Sequence, residues 1–289
     1  MNSAAAKILA GAVVVGLYAW SALRPVDPDG AGSAMTPEQL AATAAKVKSL
    51  IGEGRYKDAL EPAKKLVAAY PDSSIYLDRL ATVYHFLEKP REEAAAWERY
   101  MSVDPTPEEA CAHLDHAYAA LHDRGAQRQA AERCLALDQR NPDFLFTLAH
   151  VHEMAGELKE AGELYERGVQ LAPADSDVVV GLGRVRFYSG NTREALALAD
   201  QILRVSPNNA DALLLEGMCR LSTGETALAR KALERGASVA EKYADIHFLL
   251  GRVEEAEHQA GAARAQYQRV LQLDPENRAA RQRLEGVNQ

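Results

Sequence analysis

Two hydropathy patterns divide the chain. From Ile8 to Leu23 (ILAGAVVVGLYAWSAL) every residue is uncharged and most are apolar. As a helix this segment would span about 24 Å, a little less than the roughly 30 Å of a bilayer core. Ala4 to Ala6 lengthen it if Lys7 snorkels to the headgroups. Tyr18 and Trp20 sit near its far end, where an interfacial aromatic belt would place them. From Leu40 onward apolar residues recur instead at helical spacing, as in Leu77 with Leu80, Leu114 with Ala117, and Leu145 with Leu148. Between the two regimes, Arg24 to Met35 is rich in Pro, Gly and Asp and has neither helical nor strand periodicity. It reads as a linker. Thr36-Pro37-Glu38-Gln39 then has the form of a helix start, with an N-cap Thr, Pro at the first helical position and Gln three residues after the cap.

The helical region repeats. Gly54, Ala59 and Pro71 recur as Gly125–Ala130–Pro142, Gly156–Ala161–Pro173 and Gly190–Ala195–Pro207. Gly224–Ala229 carries Glu241 in place of Pro, Ala263–Pro275 carries His258 in place of Gly, and Glu88–Glu93–Pro105 keeps only the Pro. Successive proline positions lie 34, 37, 31, 34, 34 and 34 residues apart, which predicts three extra residues near Thr106 to Ala110 and three fewer near Asn141 to Phe144. Each unit reads as two antiparallel helices. The Gly permits the tight turn, and the Ala lets the second helix lie close to small residues of the first (Ala81, Ala149, Gly183, Gly217, Gly251). The Pro ends the hairpin. Glu93 breaks the pattern and predicts a splayed hairpin or a reshaped turn there.

This constellation resembles the tetratricopeptide repeat family. The resemblance implies an all-α fold, a right-handed superhelical solenoid of about seven helix-turn-helix units over residues 40–277. Residues 1–23 would precede it as a transmembrane signal-anchor and 24–39 as linker and helix start, and 278–289 would close it as a cap helix with Arg278, Arg281 and Arg283 on its wet side. It also implies a protein-binding scaffold whose concave groove takes an extended peptide or a helix. Projecting the repeat register onto the face opposite the packing contacts assigns to that groove Phe86 and His85, then Phe146, His150 and Met154, then Arg184, Phe187 and Tyr188, then Leu214, Met218 and Leu221, and finally Phe248 and Arg252. Four of the five Phe fall on this face, where a solvated surface would be polar, although the same side chains could instead pack between neighbouring helices. Asp143, Asp177, Asp211 and Asp245 recur near first-helix starts, placed to serve helix N-termini or to meet a basic ligand.

Composition narrows the function. The net charge of −8 excludes a basic nucleic-acid stripe. Lys7 and the α-amine before the apolar run, set against Arg24 directly after it and then Asp27 and Asp29, lean toward a cytoplasmic amino terminus and a periplasmic repeat domain on a bacterial inner membrane. A cytoplasm-facing adaptor, and a secreted form cleaved near Ala19-Trp20-Ser21, are the alternatives. Cys111, Cys134 and Cys219 are too few and wrongly spaced for a disulfide scaffold or zinc ribbon; a Cys111–Cys134 bridge within one hairpin requires an oxidising compartment.

No enzymatic signature emerges. Val178-Val179-Val180-Gly181-Leu182-Gly183 has Arg186 where a dinucleotide fingerprint needs its third Gly, and His150-Val151-His152-Glu153 is followed by Gly156 where a zincin needs His. Cys111, His113 and His116 lack ligand spacing. The expectation is therefore no cofactor, no metal and no small-molecule substrate. A metal-dependent or regulatory enzyme subunit centred on His113, His116 and His122 is the reading from a different class.

Overall fold

The computed structural model describes residues 35–104 and 106–287. The expected anchor over residues 1–23 and nearly all of the linker lie outside these. Among the described residues no helix is long and apolar enough to cross a membrane. They fold as α-helices and connecting turns alone, and the chain divides into two compact units between Leu137 and Asp138.

The first unit contains α1 (Pro37–Gly52), α2 (Tyr56–Ala69), α3 (Ser74–Phe86), α4 (Pro90–Val103), α5 (Glu108–Ala120) and α6 (Arg124–Leu137). The start of α1 is capped as its sequence predicts. The Thr36 hydroxyl accepts from the Gln39 backbone N–H, and the Gln39 side chain accepts from the Thr36 N–H. The second unit contains α7 (Pro142–Met154), α8 (Leu158–Leu171), α9 (Ser176–Tyr188), α10 (Thr192–Val205), α11 (Ala210–Ser222), α12 (Thr226–Val239), α13 (Ala244–Ala256), α14 (Ala260–Leu273) and α15 (Arg278–Val287). In α15 Arg278, Arg281 and Arg283 are exposed and Ala280 is buried, as a closing helix requires. Consecutive helices pack as hairpins in each unit, and the first helices of successive hairpins also touch: α7 with α9, α9 with α11, and α11 with α13.

The repeat is more regular than its proline spacing predicts. The second helices begin at residues 56, 90, 124, 158, 192, 226 and 260, always 34 apart. Seven residues with positive φ keep the same interval: Gly54, Glu88, His122, Gly156, Gly190, Gly224 and His258. The third hairpin therefore turns at His122, not near Gly125, which lies inside α6. The counterparts of Ala59 and Pro71 there are Gln127 and Gln139, and Pro142 is instead the first residue of α7. No insertion or deletion exists in this stretch. Glycine is merely the cheapest residue in the left-handed region, and Glu88, His122 and His258 (φ 54°, 54° and 59°) accept that conformation at some energetic cost. The hairpin carrying Glu93 keeps the common turn and lengths: Glu88 takes the positive φ of the turn glycines, and α3 and α4 have 13 and 14 residues, as α9 and α10 do.

The close approach that predicted the hairpins is present, but the first-helix glycines meet large side chains rather than the small ones expected. A Cβ built on Gly251 would lie 2.5 Å from Tyr267 Cε1, and one on Gly217 would lie 2.5 Å from Leu233 Cδ2. Tyr267 and Leu233 are fully buried and cannot swing aside. Gly251→Ala is expected to cost about 1–3 kcal/mol through overpacking. Gly261→Ala is its control, because nothing lies within 4 Å of that position. Urea unfolding of both variants checks this, and equal effects would refute the contact.

Cys111 of α5 and Cys134 of α6 form a disulfide, with Cα atoms 5.9 Å apart and both residues buried. Cysteine number and spacing argued against a disulfide framework, and one bridge stapling a single hairpin is all there is among the described residues. Cys219 is free and buried in α11, and burial pushes its thiol up to about 12.

Candidate functional site

A cavity of about 610 Å³ opens in the second unit, and its walls come from first helices. His150, Glu153 and Met154 descend from α7; Arg184 and Tyr188 from α9; Leu214 and Met218 from α11; Asp245, Phe248 and Leu249 from α13; Tyr243 from the turn before α13. They converge because residues three and four apart on a helix share a face and because neighbouring first helices run in contact. Three of the four wall helices are capped at their starts. The side chains of Asn141, Asp175 and Asn209 accept backbone N–H groups at the N-termini of α7, α9 and α11.

Seven of the residues assigned to the groove from sequence line this cavity: His150, Met154, Arg184, Tyr188, Leu214, Met218 and Phe248. Phe146 lines a smaller neighbouring hollow with His150, Asp177, Val180, Arg184 and Asp211, its ring parallel to that of His150 at 6.0 Å. The others are elsewhere. Phe187 packs on the buried cluster of Val179, Val180 and Ala195, and Leu221 on that of Leu214, Leu233 and Leu250. Arg252 stands 3.8 Å from Glu255. Phe86 and His85 belong to the first unit, where Phe86 stacks on Tyr56 at 4.2 Å and is 53% exposed.

One part-buried ion pair organises the cavity's polar wall. Arg184 donates from Nε to Glu153 Oε1 at 2.8 Å and from Nη2 to Oε2 at 2.9 Å, and the Tyr165 hydroxyl donates to the same Oε2 at 2.9 Å. Burial alone would pull the Arg184 guanidinium down; its hydrogen bonds and attraction to Glu153 outweigh that and raise it. Arg184 is thus committed internally. The acids nearby are not balanced in the same way. Burial, then the charge of Asp274, raises the Asp245 carboxyl above the usual range. Asp211 accepts a 2.6 Å hydrogen bond from Tyr243 Oη. Glu153, Tyr243 and Leu249 were missed as wall residues, whereas Asp245 belongs to the recurring Asp series read as serving helix starts or meeting a basic ligand.

The motifs that could mimic catalytic chemistry take structural roles. Val178 to Gly183 lie inside α9 and are buried, with Gly181 against the Tyr165 ring and Gly183 against Leu215. His152 pairs with Glu157 at 2.5 Å and Glu153 with Arg184. His113 stacks on Trp97 at 4.3 Å, while His122 occupies a turn. His116 instead approaches His85 of α3 and Glu93 of α4.

A sequence profile described as tetratricopeptide repeat matches residues 180–243. No curated protein matches the chain by sequence. Among solved structures, the chain is similar to a tetratricopeptide repeat protein from Parabacteroides merdae (13% identity, TM-score 0.76, covering 86% of this chain and 99% of that one). It is similar to the Cut9-Hcn1 hetero-tetramer of APC/C (18%, TM-score 0.66, 88% of this chain and 50% of that one). It is also similar to Pseudomonas aeruginosa pilF (18%, TM-score 0.57, 74% and 96%). At these identities the likeness is one of fold. With the unbroken 34-residue interval, it gives this chain the fold of tetratricopeptide repeat proteins, and residues 180–243 match the profile of that repeat.

Proposed function

We propose that this chain is a scaffold of the bacterial cell envelope, tethered by residues 8–23, that holds another protein in the second-unit cavity and catalyses no reaction. The carrying observation is the cavity itself. Met154, Tyr188, Leu214, Met218 and Phe248 present apolar surface on rigid helices, and Met154 and Tyr188 remain 55% and 57% exposed. Flexible Met beside aromatic anchors suits an extended or helical segment better than a small substrate. Because Arg184 is spent on Glu153 while Asp245, Asp177 and Asp211 face the two hollows, the segment should carry Lys or Arg among bulky apolar residues.

A photo-crosslinking residue placed at Tyr188 in cells is expected to yield a discrete protein adduct that Met218→Glu removes. The same probe at Val205, 83% exposed on α10, should not. Identical adducts at both positions, or none at Tyr188, would reject the cavity as the binding site. Met154→Glu and Tyr188→Ala should change stability by no more than about 0.5 kcal/mol, as is usual for surface positions.

The Cys111–Cys134 bridge supports a periplasmic repeat domain, since such bonds persist in oxidising compartments. Alkaline phosphatase fused after Gln289 should be active. An inactive phosphatase with a fluorescent cytoplasmic fusion would favour the cytoplasm-facing alternative.

A further inference from the structure

We propose that His85, Glu93 and His116 of the first unit bind a divalent transition metal of the zinc class. The three residues come from α3, α4 and α5, and their ligand atoms lie within 4.8 Å of one another. His85 Nδ1 stands 3.0 Å from Glu93 Oε1. A tetrahedral zinc with bonds of about 2.0–2.1 Å sets its ligand atoms about 3.3 Å apart. The pair is already near that separation. His116 is exposed and free to close the remaining gap, its ring centroid 5.0 Å from that of His85.

Packing does not explain Glu93. The six other hairpins place Ala59, Gln127, Ala161, Ala195, Ala229 and Ala263 at this register position, and every one of those alanines is fully buried. Glu93 is only 2% exposed, so a carboxylate has replaced a small apolar contact in the hairpin's interior. A buried charge is costly unless it is paired or coordinates a metal. One imidazole would suffice as its hydrogen-bond partner, yet two converge on this carboxylate. Neutral imidazoles instead offer lone pairs, and a dication neutralises the carboxylate while using both. The fourth position would be left to water or to a partner's side chain. His113, three residues before His116, is excluded from the set because its ring lies flat on Trp97.

The test is isothermal titration of zinc into the untagged, chelator-stripped full chain in mild detergent, with cobalt(II) absorption as a second readout. One equivalent is expected to bind, with intense tetrahedral-type cobalt bands. His85→Ala, Glu93→Ala and His116→Ala should each weaken binding at least about tenfold, while His113→Ala should not. Glu93→Ala restores the residue that most hairpins carry, so its helix content should be retained and its loss of metal attributable to the ligand. Absence of stoichiometric binding would overturn the site. So would undiminished binding by His116→Ala, which would leave His85 and Glu93 as a simple ion pair.

Discussion

Arg230→Ala is expected to destabilise the second unit by about 3–5 kcal/mol, the cost of removing one partner from a buried ion pair. Arg230 of α12 donates to Glu254 at 2.5 and 2.9 Å and to Glu257 at 2.8 Å. The Glu254 side chain is only 7% exposed. Hydrogen bonds to Glu254 and then Glu257 hold the guanidinium well above its ordinary value. Without Arg230, the buried Glu254 carboxylate loses both hydrogen bonds that the guanidinium gives it. Urea unfolding monitored by circular dichroism measures the loss. Replacing both partners, as in Arg230→Met with Glu254→Leu, should recover most of it, because an apolar pair leaves no orphaned charge. A loss below about 1 kcal/mol for the single variant would show that solvent reaches Glu254 more readily than its burial indicates.

The second large effect concerns the Cys111–Cys134 bridge. It closes a loop with a sequence separation of 23, for which chain entropy assigns about 3 kcal/mol of stabilisation. Cys111→Ala with Cys134→Ala, or reduction of the native chain, should lower the melting temperature of the first unit and leave that of the second unchanged. Cys219 does not confuse the measurement: it is buried in the second unit, and its thiol is pushed up to about 12, far from the range in which it would attack a disulfide. If chain purified without reductant titrates three free thiols, or if reductant shifts nothing, the bridge is refuted.

The architecture was legible in the sequence to the extent that its special positions were filled by their commonest residues. Gly54, Gly156, Gly190 and Gly224 marked four turns correctly. Where His122 took the same positive-φ position, Gly125 and Pro142 drew the register three residues out of phase, because composition signals a turn only through the residues that adopt it most cheaply. Of the cavity, the residues on first-helix faces were legible, since helical geometry alone places them. Phe187 and Leu221 were not, because which side of a face meets solvent and which meets the neighbouring hairpin depends on packing. The Arg184–Glu153 pair and the His85–Glu93–His116 group join residues from different helices, and no spacing along one helix encodes them.

The unbroken interval also bears on how such a chain can change over generations. In the second unit each first helix rests on first helices 34 residues away, so a gain or loss of anything but a whole 34-residue cassette would leave some apolar face uncovered. Length can drift only in quanta, while single substitutions inside a cassette are read against an intact frame. Glu93 is one such substitution, and novelty in this lineage should therefore be sought in residues that depart from their counterparts one period away rather than in loops that have grown.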